Sequence, residues 1–360
     1  MKVGILTYHY GSNYGGVLQC YALQQVLKGM GYEVSIINYI PHQNHKKFAH
    51  VVQTALKMFS LESMKALWHN IRYQWQSRRV FEVFRENYLN LTRESSHIED
   101  FKNINIDVLI VGSDQLWGYP QIRDVYFLGW VENPHIKKVA YAVCSGYGKI
   151  NEAYREEMAK QLLHFSAISV RSQTTKAFVK NIIGLDVPVV VDPTVLYDFN
   201  EFLSSRNDPY ILTYILTDDI EGGNFKAIDL IKKKYPGLPV YSIIISDRYP
   251  RISSWSDKYL VDVTPGEWVN LIYNCSFLYT DSYHGALFAI KFGKPFIAYY
   301  SSDNGGRRLT DLQSQLNIHN VAHNLNDVIS ILDSKSDNPQ LLLGELKKNS
   351  FDYINKNLIS

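Results

Sequence analysis

The residues best suited to chemistry lie between an apolar run and an apolar helix, in the stretch from Ser276 to Arg308. Asp281, Ser282, Tyr283 and His284 stand where the run ends and the helix begins. A helix N-terminus presents unpaired N–H groups and a positive dipole end to an anion. A carboxylate beside a histidine can set its tautomer and hold it charged. We expect an anion site here, and the alternative is a histidine that hydrogen-bonds its own turn.

Other polar clusters follow apolar runs earlier in the chain. The carboxyl ends of parallel strands meet at one edge of a sheet, so these clusters are expected to converge. Arg171 would either bind the anion or form a salt bridge across a domain junction. Asp114 would serve as a base or cap a turn, and Asp192 is assigned to structure because a proline follows it. The clusters are Ser12-Asn13-Tyr14-Gly15, Ser113-Asp114-Gln115, Ser145-Gly146 and Arg171.

Positive charge is also available near the end of the opening stretch. Arg307 and Arg308 follow Gly305-Gly306, which predicts a loop that closes over a ligand; the alternative is the solvated first turn of a helix. The sequence has no metal-ligand spacing, no acidic D-x-D pair and no P-loop. The three cysteines, Cys20, Cys144 and Cys275, lie inside apolar segments, which disfavours a cysteine nucleophile. We expect a site without metal or cofactor.

Composition limits the class of protein and of partner. With 360 residues, the chain is long enough for two domains. Its net charge of +2 disfavours a general polyanion surface, so we expect no nucleic-acid partner. The chain begins with a strand-like MKVGILTYHYG, and no apolar run approaches the roughly 20 residues that span a bilayer. Few, scattered cysteines suit a reducing compartment, so we expect a cytoplasmic protein.

Apolar runs alternate with helical patterns, which predicts two doubly wound α/β domains facing a cleft. The expected units are an N-terminal domain over 1–195, a C-terminal domain over 196–340 and a closing helix over 341–360. Thr264-Pro265-Gly266-Glu267 is a capping box that starts a helix in the second domain. The strands predicted for the first domain are Lys2–Tyr8, Glu33–Tyr39, Asp107–Trp117, Lys137–Gly146, Ser166–Ser172 and Val187–Thr194.

A helical insertion is predicted in the first domain at about 45–92. It carries basic residues between aromatic ones, including Lys46, Lys57, Arg72, Trp68 and Phe81. Such a segment can lie on an anionic membrane surface, which would give peripheral contact with the inner membrane face. Its other interpretation is an insertion that packs its aromatic residues on the first domain and leaves its basic face in water.

The motifs, taken in order, resemble the polysaccharide pyruvyl transferase family. The matching segments are GILTYHYGSNYGGVLQCYALQQVLKGMGYEVSIINY, DVLIVGSDQLW, VAYAVCSG, ISVRS, VVDPTVL and TDSYHGALFAIKFGKPFIAY. The resemblance implies a Rossmann-like, GT-B-like architecture. It also implies a transferase that moves a pyruvyl group from phosphoenolpyruvate (PEP) to a sugar as a ketal, releasing phosphate, in the biosynthesis of capsular or other surface polysaccharide (exopolysaccharide).

The resemblance also implies roles for individual residues. Arg171 and His284, with Tyr283 and Ser282, would bind PEP. Some members carry an arginine where this chain has Ser282, so Arg307, Arg308 or Lys294 would supply that charge. His284 or Asp281 would donate a proton, and Asp114 would be the base. The first domain would bind the acceptor through Asn13, Tyr14, Gly15, Ser113 and Gln115.

Two other functions stay open on the sequence. One is a GT-B glycosyltransferase that uses a nucleotide sugar, and the other is a family member that binds sugar or PEP without catalysis. The acceptor would be a sugar or a lipid-linked oligosaccharide. The residues set neither its identity nor the oligomeric state.

Overall fold

The computed structural model describes residues 1–41, 78–118, 124–146, 148, 152–216, 219–244, 255–300, 303–334 and 339–359, with the backbone alone at 124, 303–307 and 359. The segment 42–77, which holds most of the predicted basic insertion, lies outside these ranges. Residues 78–88 of that insertion are helical, and we name this segment α2.

The first sheet has five parallel strands in the order β2-β1-β3-β4-β5. The strands are short and almost wholly apolar, as expected where helices cover both faces. They are β1 (Lys2–Leu6), β2 (Glu33–Ile36), β3 (Val108–Val111), β4 (Lys137–Val143) and β5 (Ala167–Val170). Beside α2, the helices of this unit are α1 (Tyr14–Gly29), α3 (Arg155–Leu163) and α4 (Gln173–Ile183).

The second sheet has six parallel strands in the order β11-β10-β9-β6-β7-β8. Its strands are β6 (Ile211–Tyr214), β7 (Val240–Ile243), β8 (Lys258–Leu260), β9 (Phe277–Thr280), β10 (Phe296–Tyr299) and β11 (Val321–Ala322). The remaining helices are α5 (Pro193–Leu196), α6 (Asn224–Lys234), α7 (Pro265–Asn274), α8 (Tyr283–Lys291), α9 (Asp303–Leu316), α10 (Leu325–Asp333) and α11 (Gln340–Ile359).

Each sheet has one position where the strand order reverses. In the first sheet this switch lies between β1 and β3, and in the second it lies between β6 and β9. Open α/β sheets bind ligands beyond the carboxyl ends of the strands at such a switch. Helix α1 follows β1 and helix α8 follows β9, so both begin at a switch point. The predicted pair of doubly wound α/β units is confirmed.

Two local predictions were wrong, and two short strands were not predicted. Val187–Thr194 is not a strand: only Val189 bridges to Val170, and the chain then leaves the sheet edge because Asp192 caps α5 at Pro193. The predicted loop before Arg308 is helical from Asp303 onward. The short strands β8 and β11 carry too few residues to give a period-2 pattern, and the sequence did not predict them.

The last helix packs back onto the first sheet. The Val191 backbone N–H donates a hydrogen bond of 3.0 Å to the Ser350 hydroxyl of α11. The Tyr353 hydroxyl of the same helix donates to the Ala140 carbonyl, at 3.2 Å. Helix α11 therefore ties the end of the chain to β4 and to the segment before α5. Across the described ranges, no helix has both the length and the apolar character needed to cross a membrane.

Candidate active site

A buried carboxylate, Asp192, lies at the centre of the polar residues that the two sheets bring together. Its Oδ2 accepts a hydrogen bond from Arg171 Nη1 at 2.7 Å and another from the Ser113 hydroxyl at 3.0 Å. Its Oδ1 accepts from the Thr194 backbone N–H at 3.0 Å and from the Thr194 hydroxyl at 2.8 Å. Burial would raise the pKa of Asp192, but His284, Arg171 and the Thr194 N–H hold that pKa well below its ordinary value.

His284 reaches this cluster from the second sheet. Its Nε2 atom lies 3.5 Å from Asp192 Oδ2 and has no hydrogen-bond partner among the described residues, although the side chain is buried. On its other side the imidazole fills the space beside Gly15, where an added Cβ atom would come within 2.0 Å of Nδ1. The ring is therefore held between α1 and the Asp192 carboxylate. The alternative, in which His284 hydrogen-bonds its own turn, does not hold for Nε2.

Arg171 is packed by groups from both units. Its guanidinium lies 4.5 Å from the centre of the Tyr283 ring, a cation–π contact across the domain junction. Burial raises the pKa of the Tyr283 phenol, so the ring is neutral. Asp114 Oδ1 lies 3.5 Å from Arg171 Nη2, and its side chain is 13% exposed. Arg171 therefore forms salt bridges with Asp114 and Asp192 inside the first unit, and its contact across the junction is with the Tyr283 ring.

Asp114 also has an unusual backbone. Its φ of 81° is in the left-handed region, which few residues other than glycine adopt. The carbonyl of Asp114 accepts hydrogen bonds from Leu116 N–H at 2.8 Å and from Cys144 N–H at 2.9 Å, and these bonds hold the turn. Such outliers concentrate at functional sites, where the surrounding structure fixes them. The turn aims the carboxylate at Arg171.

Three helices begin next to this cluster. Helix α1 begins one residue before Gly15, α4 begins two residues after Arg171, and α8 begins one residue before His284. The free N–H groups and dipoles of their first turns favour negative charge. Sequence reasoning expected one such helix end, and the topology brings three together. The site therefore offers an anion three helix N-termini and the Arg171 guanidinium, beside the carboxylates of Asp114 and Asp192.

Most of the residues predicted to bind the acceptor already make hydrogen bonds or packing contacts within the protein. Asn13 caps α1 by accepting a hydrogen bond of 3.1 Å from Gly16 N–H. The Tyr14 hydroxyl donates to the Val263 carbonyl at 2.8 Å, and its ring stacks on Trp268 across the junction. Ser113 is buried against Asp192, and Gln115 is half-buried beside Gly146. Their acceptor role stays a prediction.

Asp281 and Ser282 also make local contacts. Asp281 Oδ1 accepts a hydrogen bond of 2.6 Å from the Leu216 backbone N–H, which ties the end of β9 to the end of β6. The Ser282 hydroxyl caps α8 by accepting from the Gly285 N–H at 3.2 Å. Both residues support the position of His284, and any direct role in chemistry remains a prediction.

Helix α9 brings further charge to the junction. Arg308 is half-buried; burial raises the pKa of Tyr283, and the positive charges of Arg171 and, to a smaller extent, Arg308 act to lower it. One turn later, Asp311 Oδ1 accepts a hydrogen bond of 3.0 Å from the Thr174 hydroxyl, in the first turn of α4. Burial raises the pKa of Asp311. The side chain of Arg307 lies outside the described part of the structure.

Asp192 lies at the centre of the candidate site, and the sequence had assigned it to structure alone. The Asp-Pro pair suggested only a break in the chain, and the partners of Asp192 come from residues 113, 171 and 284. A usable signal was present, because Asp192 follows an apolar run as the other polar clusters do.

Cys20, Cys144 and Cys275 are buried and unpaired, and burial raises the pKa of Cys275 to about 12. The described residues include no group of three or more His, Cys, Asp or Glu side chains arranged for a metal ion.

Comparison with solved structures finds a similar fold in proteins of low sequence identity. The UDP-GlcNAc 2-epimerase of Methanocaldococcus jannaschii, solved in complex with UDP-GlcNAc and UDP, aligns with a TM-score of 0.52 and 14% identity over 98% of this chain and 100% of its own. A putative UDP-N-acetylglucosamine 2-epimerase from Listeria monocytogenes aligns with a TM-score of 0.57 and 10% identity, over 99% and 96%. Arabidopsis thaliana UGT89C1, complexed with UDP-L-rhamnose, gives a TM-score of 0.50 and 10% identity, over 99% and 97%.

These identities are low, so the likeness shows the fold alone, a GT-B-like pair of Rossmann-like units. A comparison with curated proteins gives no match.

The family model for polysaccharide pyruvyl transferase matches residues 13–304, which include Gly15, Asp114, Arg171, Asp192 and His284. The match covers most of the chain and every residue of the Asp192 cluster. The chain belongs to the polysaccharide pyruvyl transferase family.

Proposed function

We propose that this protein transfers the pyruvyl group of PEP to two hydroxyls of a sugar, forming a cyclic ketal and releasing phosphate, in the biosynthesis of capsular or other surface polysaccharide. The observation that carries the proposal is the cluster of Arg171, Asp192 and His284, buried where the switch points of two sheets meet. PEP carries a carboxylate and a phosphate, so it suits a site built from a guanidinium, an imidazole and helix N-termini.

The reaction needs two protons to move and one C–O bond to break. A proton is added to the PEP methylene carbon, which becomes a methyl group, and a sugar hydroxyl oxygen bonds to the adjacent carbon. The bond from that carbon to the phosphate oxygen then breaks, and the second hydroxyl oxygen takes its place. Of the two protons lost by the sugar hydroxyls, one balances the proton on the methyl group and the other leaves with phosphate.

His284 is the proposed proton donor and phosphate ligand. Its Nε2 lacks a hydrogen-bond partner among the described residues, whereas Nδ1 faces Gly15, so Nε2 is the ring nitrogen left to transfer a proton. The Asp192 carboxylate, 3.5 Å from Nε2, would hold the ring in this orientation. Asp281 is the weaker candidate because Leu216 N–H already occupies its Oδ1.

Arg171 is the proposed ligand of the PEP anion, with Arg308 as a second source of positive charge. The Asp192 bond fixes one end of the guanidinium, and the Tyr283 ring covers a face of it. A guanidinium held in this way is positioned before the ligand arrives, which reduces the entropy cost of binding. Some family members carry an arginine at the position of Ser282, and Arg308 would supply that positive charge in this chain.

Asp114 is the proposed base for the sugar hydroxyl. Its side chain retains some exposure, and its carboxylate points to the same guanidinium that would hold PEP. A base in this position would take the hydroxyl proton close to the carbon under attack. General base catalysis of this kind contributes about 10²–10⁴-fold in rate.

The direct test is phosphate release from PEP in the presence of a panel of sugars, followed by mass spectrometry of the sugar products. The proposal predicts phosphate release and a product that has gained the mass of a pyruvyl ketal. His284→Ala should abolish turnover, while His164→Ala, at an exposed histidine that ends α3, should keep it. Near-normal phosphate release by His284→Ala would contradict the assignment of His284. Thermal protection by UDP-sugars without any by PEP would favour a glycosyltransferase instead.

A further inference from the structure

Helix α9 of the second unit reaches the first turn of α4 in the first unit. The Thr174 hydroxyl donates a hydrogen bond of 3.0 Å to Asp311 Oδ1, and both side chains are half-buried. We call this bond the α4–α9 contact. It is separate from the contacts that α1 makes with the second unit through Tyr14 and Gly15. No step of the proposed reaction uses it.

The first unit holds its side of the contact firmly. The Ser145 backbone N–H donates a hydrogen bond of 3.0 Å to the Thr175 hydroxyl, and the Ser172 hydroxyl caps α4 by accepting from the Thr175 N–H at 3.3 Å. A Cβ atom added at Gly148 would lie 2.9 Å from Thr174 Cγ2, so the methyl group of Thr174 lies against residue 148. These contacts fix the first turn of α4 and the direction of the Thr174 hydroxyl.

Helix α9 presents different residues to the two units. Leu309, Leu312 and Leu316 are buried, and the helix lies against α8, β10 and β11 of its own unit. Asp311 faces α4 instead. Arg308 stands three residues before Asp311, and residues at this spacing are neighbours on one face of a helix. Arg308 therefore lies within one turn of the α4–α9 contact, on the face that is turned to the first unit.

Arg308 is a half-buried cation close to the donor site. Burial raises the pKa of the Tyr283 phenol, and the charges of Arg171 and Arg308 act against that rise, so both guanidinium groups are near the phenol. The described residues give Arg308 no hydrogen bond or ion pair, whereas Arg171 is paired with carboxylates. A guanidinium without a protein partner retains its full capacity to bind a carboxylate or a phosphate.

The α4–α9 contact has two opposing effects on an anion bound at Arg171. The Asp311 carboxylate would repel the anion, but it lies at the N-terminus of α4, whose dipole end compensates its charge. Burial raises the pKa of Asp311, while Thr174, Ser172 and Arg171 act to lower it. The contact also restricts α9 and so limits where Arg308 can lie. Since the charge of Arg308 is not compensated by an ion pair, the attraction outweighs the repulsion.

We infer that Asp311 is a positioning residue: through the α4–α9 contact it holds the N-terminal half of α9 on the first unit and keeps Arg308 near Arg171, which strengthens the binding of PEP. This inference rests on the proposed function and names the contact that places its second cation. Asp311 acts through Arg308 and does not itself bind the substrate.

The test removes the α4–α9 contact without changing any charge. Thr174→Val deletes the hydroxyl and keeps the shape of the side chain, and Thr174→Ser keeps the hydroxyl and is the matched control. Thr174→Val is also combined with Arg308→Met, which retains a long side chain without its charge. Asp311→Ala removes the other partner as a second variant, and Asp229→Ala, at an exposed carboxylate on α6, is its control. Circular dichroism checks that each variant is folded.

We expect Thr174→Val and Asp311→Ala to weaken calorimetric PEP binding by about threefold to tenfold, the effect of one hydrogen bond, while Thr174→Ser and Asp229→Ala change it by less than about twofold. In the Arg308→Met background, Thr174→Val should change PEP affinity by less than about twofold, because the cation that the contact positions is gone. Amide hydrogen exchange of residues 308–316 should be faster in Thr174→Val, and exchange in α10 should not change.

Unchanged or tighter PEP binding by the folded Thr174→Val variant would overturn the inference. An equal loss of affinity in the Arg308→Met background would also overturn it, and so would unchanged exchange in α9. Exchange does not require PEP, so it separates this inference from the proposed function. No PEP binding by the unmodified chain would contradict the proposed function, and exchange would still decide whether the contact holds α9. Normal PEP binding by every variant would confine the failure to Asp311.

Discussion

The His284 imidazole occupies the space that a side chain at residue 15 would need, since a Cβ atom on Gly15 would stand 2.0 Å from Nδ1. Gly15 belongs to the first turn of α1, and His284 belongs to the first turn of α8. The two helices follow strands of different sheets. This contact therefore fixes the histidine of one unit against the helix of the other and directs Nε2 toward Asp192.

Gly15→Ala should displace the imidazole and reduce turnover about 100-fold, because small misplacements of a catalytic group have effects of that size. The overpacked contact should also lower the free energy of unfolding by about 1–3 kcal/mol. Phosphate release from PEP and urea unfolding measure the two effects. Gly16→Ala is the matched control, since the nearest atom to its added Cβ is 3.6 Å away, an ordinary contact. Equal activity of the two variants would show that the position of His284 does not matter.

Asp192→Asn should destabilise the protein by about 3 kcal/mol at neutral pH, because the buried Arg171 loses the closer of its two carboxylate partners and keeps only Asp114, at 3.5 Å. The folded state holds the pKa of Asp192 well below its ordinary value. Its stabilising contribution is therefore complete above the unfolded-state pKa of about 3.9 and is lost as the pH falls toward the folded-state value. The difference in unfolding free energy between the two proteins should shrink from pH 6 to pH 3. A difference that stays constant would mean that the charge of Asp192 contributes nothing.

Lys291 should make stability depend on pH in the alkaline range. It ends α8, and its ammonium donates hydrogen bonds to the Val195 carbonyl in α5 and to the Tyr197 carbonyl just after that helix. Burial is the main cause that lowers its pKa from 10.5 to about 8. The folded state therefore carries a penalty below pH 8 that disappears by about pH 10.5, so stability should rise in between, by up to about 3 kcal/mol.

Lys291→Met has no group to titrate at this position. The stability of the unmodified protein relative to Lys291→Met should therefore rise between pH 7.5 and pH 10, as measured by chemical unfolding at each pH. A relative stability that falls over this range would reverse the predicted sign and refute the effect of burial on Lys291.

Tyr283 should contribute to PEP affinity by holding Arg171 in place. Tyr283→Leu removes the ring that lies 4.5 Å from the guanidinium, and Tyr283→Phe keeps it. A cation–π contact contributes about 0.5–2 kcal/mol, which corresponds to a 2- to 30-fold rise in the KM for PEP. We expect that rise in Tyr283→Leu with little change in Tyr283→Phe. An equal rise in both would assign the effect to the phenolic hydroxyl.

The sequence predicted those features of the fold that depend on residues close together in the chain. Thr264 and Glu267 form the predicted capping box, in which each side chain bonds the backbone of the other, and α7 begins at Pro265 as expected. The apolar helix predicted to open at His284-Gly285 begins one residue earlier, at Tyr283. The alternation of strands and helices also predicted two α/β units, because each buried strand is a short apolar run between helical patterns.

The site itself depends on contacts between residues far apart in the chain, which one sequence does not reveal. Asp192 binds groups at positions 113 and 171, and it looked structural because Pro193 follows it. The stacking of Tyr14 on Trp268 of the other unit is another such contact, and the acceptor role that the family resemblance implies for Tyr14 stays a prediction. Val187–Val191 has a strand-like composition, yet α11 contacts it through Ser350 where a further strand was expected.

The most direct test of this account is calorimetric titration of the protein with PEP, comparing the unmodified chain with Arg171→Gln. Arg171 is buried, with a side-chain exposure of 2%, and faces the junction from the end of β5. We predict saturable one-to-one binding of PEP by the unmodified chain, and at least a tenfold loss of affinity in an Arg171→Gln variant that remains folded by circular dichroism. No binding of PEP by the unmodified chain, or equal binding by the folded variant, would contradict the central claim that this cluster is the donor site.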